Sequence, residues 1–146
     1  MMQTFMLSCT FVVIGFVVNA LSYLLGSRYL CSFLDGNLLL ILIALLAINT
    51  TTVSVILTKM REIADRNPIV DFERTRRSMN TASIEQLILI ILTVVLQIIK
   101  ASPIIINLIP RSEFILESFL IAVFAFSVQI VFDTAKGIYV ILDQGH

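Results

Sequence analysis

Charge is scarce in this chain. Only 14% of its 146 residues are Asp, Glu, Lys or Arg, and ten bases cancel ten acids. A soluble domain carries about 25% charged residues. With no net charge there is no basic footprint for a phosphate backbone, so direct nucleic-acid binding is not expected. Tryptophan is absent, and the one histidine is the last residue, His146. Histidine-based metal sites and acid–base chemistry are therefore not expected, nor is any other cofactor. Two cysteines, Cys9 and Cys31, are too few for a disulfide framework. The sequence has no HExxH, GxSxG, Walker loop or Cys/His pair. A non-enzymatic protein is the expectation.

What the chain has in abundance is apolar side chains. They make up 58% of residues, and the mean hydropathy is +1.00; soluble domains reach about 45–50%. A membrane span needs about 20 apolar residues to cross a hydrocarbon core of ~30 Å. Four runs qualify: Phe5 to Leu25, Leu38 to Leu57, Leu87 to Ile109 and Phe114 to Phe132. The first is too long for a signal-peptide core and lacks a basic flank, so it reads as a retained span. The expected fold is all-α, a single integral membrane four-helix bundle over 1–146. A helical cytoplasmic extension at about 59–85 joins spans 2 and 3, and a tail runs over 133–146.

The breaks follow local chemistry. Gly26-Ser27-Arg28 ends the first span and Asp35-Gly36-Asn37 precedes the second. The second helix should continue to Arg66 and stop at Asn67-Pro68, because proline disfavours helix in its predecessor. Asp71 could cap a further helix, and Ser83 to Gln86 reads as a capping box for the third span. Pro110-Arg111-Ser112 reads as a tight turn. The segment from Lys59 to Glu85 holds Lys59, Arg61, Arg66, Arg74, Arg76 and Arg77, whereas the other two loops hold one arginine each, Arg28 and Arg111. By the positive-inside rule that segment and both termini should be cytoplasmic, in the cell inner membrane.

Polar residues inside the spans are the candidate functional groups. Gln86, Thr93, Gln97, Lys100 and Asn107 fall within a stripe about 80° wide on the third helix. A lysine at membrane depth is costly and normally faces protein or water. Two uses are open to Lys100. One is an ion pair with Glu117, at similar depth on the fourth helix; the other is a water-filled axis lined by several subunits. On the first helix Gly15, Asn19, Ser22 and Gly26 form a small-residue stripe suited to close helix packing. Asn49 heads a cluster with Thr50, Thr51, Thr52 and Ser54, whose hydroxyls can bond back to their own helix. Arg66, Arg74, Arg76, Arg77, Asp133 and Lys136 are the candidate partner-binding charges at the cytoplasmic end. The apolar stretch Ile138 to Leu142 needs something to bury against.

This layout is suited to an oligomeric membrane sensor or scaffold that holds a cytosolic protein partner beneath the bilayer. It is similar to the four-helix membrane subunits of the Kiwa anti-phage system, the KwaA family. The resemblance lies in the four spans, the Lys59-to-Glu85 segment and the absence of catalytic groups. It implies a sensor that oligomerises and recruits the cytosolic effector KwaB. Phe72 to Asn80 also looks like a helix-opening segment of the membrane eicosanoid and glutathione transferases, in which case Arg74, Arg77 and Asn80 would serve glutathione. Against that, the segment follows the second span instead of the first, and the matching Glu is displaced to Glu85. An immunity protein against a pore-forming toxin, a small channel or a holin would share the four-span layout.

Overall fold

The computed structural model describes residues 2–66, 72–103 and 111–143, with the side chains of 2–8, Arg66, Arg74 and 138–143 left aside. Among the described residues, four helices make an all-α bundle: α1 (Met2–Leu24), α2 (Tyr29–Arg66), α3 (Glu73–Ala101) and α4 (Ser112–Asp143). At 1.5 Å per residue, α2, α3 and α4 are roughly 57, 43 and 48 Å long. These three are long and apolar enough to cross a membrane, and α1 carries a shorter apolar stretch over its described side chains, Cys9–Leu24. Large apolar side chains such as Val13, Leu40, Ile91 and Ile98 point outward, each more than half exposed. Water would reject such a surface and lipid accepts it.

The ends of the helices obey capping chemistry in places and override it in others. At the end of α1, Ser27 N–H donates to Ser22 O at 2.9 Å and Gly26 N–H to Tyr23 O at 3.1 Å. This is a Schellman motif, and it requires the left-handed conformation that Gly26 supplies at φ 65°. Gly26 is therefore a turn residue with open space around it and no part of the expected packing stripe.

The expected break at Asp35-Gly36-Asn37 is absent, because α2 begins six residues before Asp35, at Tyr29. Cys31, Leu34, Leu38 and Leu42 are buried at helical spacing straight through the polar triplet. Their packing outweighs the local preference for a turn. Asn37 complies by donating its Nδ2 to Phe33 O at 2.9 Å.

The expected capping box at Ser83 is likewise interior to a helix. α3 starts at Glu73, and Ser83 donates its hydroxyl to Met79 O one turn back. Asp71, the other expected cap, lies outside the described residues. Phe72 occupies the N-cap position with no side-chain bond to the helix. At its other end α3 stops at Ala101, short of the expected 109. Ser102 turns extended at ψ 114° ahead of Pro103, as a residue before proline should. Asn107 and Pro110 lie outside the described residues. α2 reaches Arg66 as expected.

α4 is the hub. It packs against α1, α2 and α3, and α2 also packs against α3. Half of its apolar window is buried inside the bundle, against 17% for α2 and α3. One core cluster gathers Cys31, Leu34, Leu38, Leu42, Leu89, Leu120, Ile121, Val123 and Ile130. A second, separate cluster of Ile56, Met60 and Met79 lies toward the Arg66 end, with Val53, Ile63 and Phe72 against it. Gly137 of α4 brings its backbone against that cluster: a Cβ there would sit 3.2 Å from Met79 Cε. α1 joins α4 through aromatic contacts, Phe16 with Phe114 and Phe119, Tyr23 with Phe114, and Phe11 with Phe126.

The α2/α3 pair runs antiparallel in steps of seven. Asp35 meets Lys100 at one end, and Ile56 shares a cluster with Met79 at the other. Leu42 and Asn49 on α2 therefore stand level with Thr93 and Gln86 on α3, and all four are fully buried at 0% exposure. Seven-residue spacing is the seam of coiled-coil packing, which keeps one face of each helix against the other.

Candidate functional site

The site is built where α2, α3 and α4 converge on Lys100. Its ammonium donates to both oxygens of Asp35, at 2.7 and 2.6 Å, and to Glu117 Oε1 at 3.3 Å. An ammonium has three donors, and all three are used. The Lys100 and Glu117 side chains are 15% and 11% exposed, while Asp35 is 42% exposed. The expected Lys100–Glu117 pair is present, but the shorter bonds go to Asp35. One base stands between two acids, so the cluster carries a net formal charge of −1. The three groups come from three helices and strap their ends together. Lys100 finds its partners within a single chain, so its burial is explained without a channel.

Beside the triad, a cavity of about 500 Å³ opens between α1, α4 and the start of α2. Asn19, Ser22, Cys31 and Glu117 are among the residues that line it, and Arg28, Arg111 and Glu113 contribute charge. Arg28 pairs with Glu113 at 3.0 Å, with both side chains more than half exposed. Arg111, at φ 71°, is the turn residue that starts α4, and its carbonyl accepts from Ile115 N–H at 3.2 Å.

Asn19 and Gly15 make the α1/α4 seam. Asn19 is 2% exposed; it donates to Phe114 O and to Ser118 Oγ, each at 2.9 Å, and accepts from Cys31 Sγ at 3.5 Å. Gly15 is a close-approach position. A Cβ there would run into the Ser118 carbonyl oxygen and lie 2.9 Å from Ala122 Cβ. Of the four expected packing residues, Gly15 and Asn19 thus pack against α4, while Ser22 and Gly26 line the cavity beside it.

Other expected residues scatter. Gln97 is half-buried on the Lys100 stripe, and Gln86 and Thr93 on that stripe are fully buried. Thr50, Thr51 and Ser54 each donate to the carbonyl four residues back, and Asn49 points inward alone. Asp133 and Lys136 find partners on their own helix. Asp133 accepts from Gln129 at 2.9 Å and pairs with Lys136 at 3.6 Å, and the ammonium sits 4.4 Å from the Phe132 ring centroid. Arg76 and Arg77 are exposed on α3; the side chains of Arg66 and Arg74 lie outside the described residues.

Asp35 was not among the expected site residues. It stands in a triplet that imitates a loop, and its partner is 65 residues away. The apolar spacing of Cys31, Leu34, Leu38 and Leu42 through the triplet was the pattern that could have found it. Among the described residues, no group of three or more His, Cys, Asp or Glu could hold a metal ion. Compared with known proteins, the chain matches no family model, no curated protein and no solved structure.

Proposed function

We propose that the chain is a non-enzymatic subunit of the cell inner membrane, a sensor or scaffold that oligomerises and couples to a cytosolic protein. One observation carries this reading. α2 and α3 are 38 and 29 residues long, roughly 57 and 43 Å, against a hydrocarbon core of ~30 Å. At the Arg66 end their surplus is packed around its own cluster, Ile56, Met60 and Met79. The charges beyond the bilayer, among them Arg61, Arg76 and Arg77, are thereby carried on a firmly packed pair of helices. Such a surface has little ordering entropy left to lose when a partner docks.

The arginine excess at that end supports a cytoplasmic orientation for it, and with four spans both termini lie on the same side. The layout shared with KwaA subunits supports a role in anti-phage defence, with the partner a cytosolic effector. The saturated ammonium of Lys100 favours a structural lock over a gate. The test is affinity capture of the full chain from membranes of its own cell, with Arg61, Arg76 and Arg77 changed together to Glu. The expected result is loss of the cytosolic partner with unchanged native mass in detergent. Capture of the same partner at parental yield would refute docking at this end.

A further inference from the structure

Midway along the bundle, two amides are sealed in without partners. Asn49 and Gln86 are each 0% exposed, and neither the oxygen nor the nitrogen of either side chain has a hydrogen-bond partner among the described residues. The register makes them neighbours. Each lies fourteen residues from the Asp35–Lys100 contact, Asn49 along α2 and Gln86 along α3, or about 21 Å from the triad. Each lies seven residues from the Ile56/Met79 cluster. Contacts at both ends place the same faces together, so the two amides meet in one layer. α4 adds Ser127, also 0% exposed, whose Oγ likewise lacks a partner. It stands ten residues past Glu117, about one turn nearer the triad than the amides.

A buried amide without a hydrogen bond is costly, and here two amides and a hydroxyl from three helices share that condition. The groups offer donors and acceptors together and no formal charge. Neither the amides nor the hydroxyl carries a formal charge, and the adjacent acid on α3, Glu85, is half-buried one position round the helix from Gln86. The chemistry suits a small neutral molecule that both donates and accepts. Water does so, and a buried water is held by two to four polar partners of this kind.

We propose that Asn49 and Gln86, with Ser127, form an internal water-binding site that joins α2, α3 and α4 at mid-bundle. The bound water bridges the two amides and offers its remaining bond toward Ser127. The rival arrangement is a direct amide–amide bond between Asn49 and Gln86 that excludes water.

The test uses the full chain in lipid bilayers with ¹⁵N in its Asn and Gln side chains. Solid-state NMR then follows magnetisation transfer from water to the side-chain amides. Asn49→Leu and Gln86→Leu assign the two signals by their loss. Transfer from water to both amides, with slow exchange into deuterated solvent, is the expected result. In Asn49→Leu the surviving Gln86 signal shifts, because its bridge has lost an arm. Direct Asn49–Gln86 amide contacts with no transfer from water would overturn the proposal, as would amides that ignore each other's removal. Where a leucine variant does not fold, Asn49→Ala or Gln86→Met assigns the same signal by its loss, and the parental spectrum then decides between water and a direct pair.

Discussion

Replacing Lys100 with Met removes the charge and keeps the length of the side chain. Two carboxylates then face one another at the junction of α2, α3 and α4 with no base between them. Deleting one partner of a fully buried ion pair costs about 3–5 kcal/mol, mainly by stranding the other charge. The arm to Asp35 must be discounted, because that side chain is 42% exposed and water screens it; exposed pairs contribute about 0–1 kcal/mol. The arm to Glu117 keeps most of its weight, since its side chain is 11% exposed. The expected loss is about 2–4 kcal/mol, the upper part of that range coming from the Glu117 arm. Glu117→Gln in the Lys100→Met background should restore much of the loss, because it removes the stranded acid. Glu117→Gln alone leaves a one-to-one Lys100–Asp35 pair and should cost less than Lys100→Met. The chain has no tryptophan, so helicity by circular dichroism during titration with sodium dodecyl sulfate is the appropriate assay. A Lys100→Met protein with the parental midpoint would refute the argument, as would a double variant weaker than the single one.

Three further outcomes follow from the geometry. Gly15→Ala drives a methyl group into the Ser118 backbone carbonyl, which cannot yield as a side chain would. It should cost about 1–3 kcal/mol in the same titration, and parental stability would show that α1 and α4 are not packed this way. Gly36 lies inside α2 with open space where its Cβ would stand, so Gly36→Ala should raise stability by about 0.5–1 kcal/mol; a decrease would argue against helix at that position. Arg28→Ala breaks a pair whose side chains are 76% and 51% exposed. It should change stability by less than about 1 kcal/mol, and a double-mutant cycle with Glu113→Ala giving a larger coupling would contradict the open geometry.

The helical class and the long apolar segments were legible because the requirement for internal backbone hydrogen bonds in lipid writes itself into unbroken apolar runs. The Lys100–Glu117 contact was legible as well, since depth along two helices joined by a turn can be counted from that turn. Helix ends were less so. Asp35-Gly36-Asn37 and Ser83 to Gln86 carry turn and cap chemistry, yet both sit inside helices. What overrides them is packing: Leu34 and Leu38 on either side of the first triplet, and Met79 and Leu89 around the second segment, are buried. Local preferences of a few tenths of a kcal/mol give way to contacts that a one-dimensional pattern does not record. The partner of Lys100 on α2 was hidden for the same reason. Once Asp35 is assigned to a loop, its face cannot be counted.

The hub position of α4 has a consequence for the order of synthesis. Among the described helices, the one that touches all three others is the last of the four to be made. α2 and α3 have each other as partners before it exists, but α1 rests mainly on α4 and has nothing comparable to hold while it waits. At about 5–20 residues per second, the ribosome reaches the end of α4 roughly 6–24 s after completing α1. Through that interval Asn19 keeps a polar amide in the bilayer without the full set of Phe114 and Ser118 contacts to receive it, and Lys100, once made, has Asp35 before it has Glu117. Assembly of this chain is therefore closed from its C-terminal side. A nascent chain stalled before α4 should hold an α2/α3 hairpin with α1 adrift beside it.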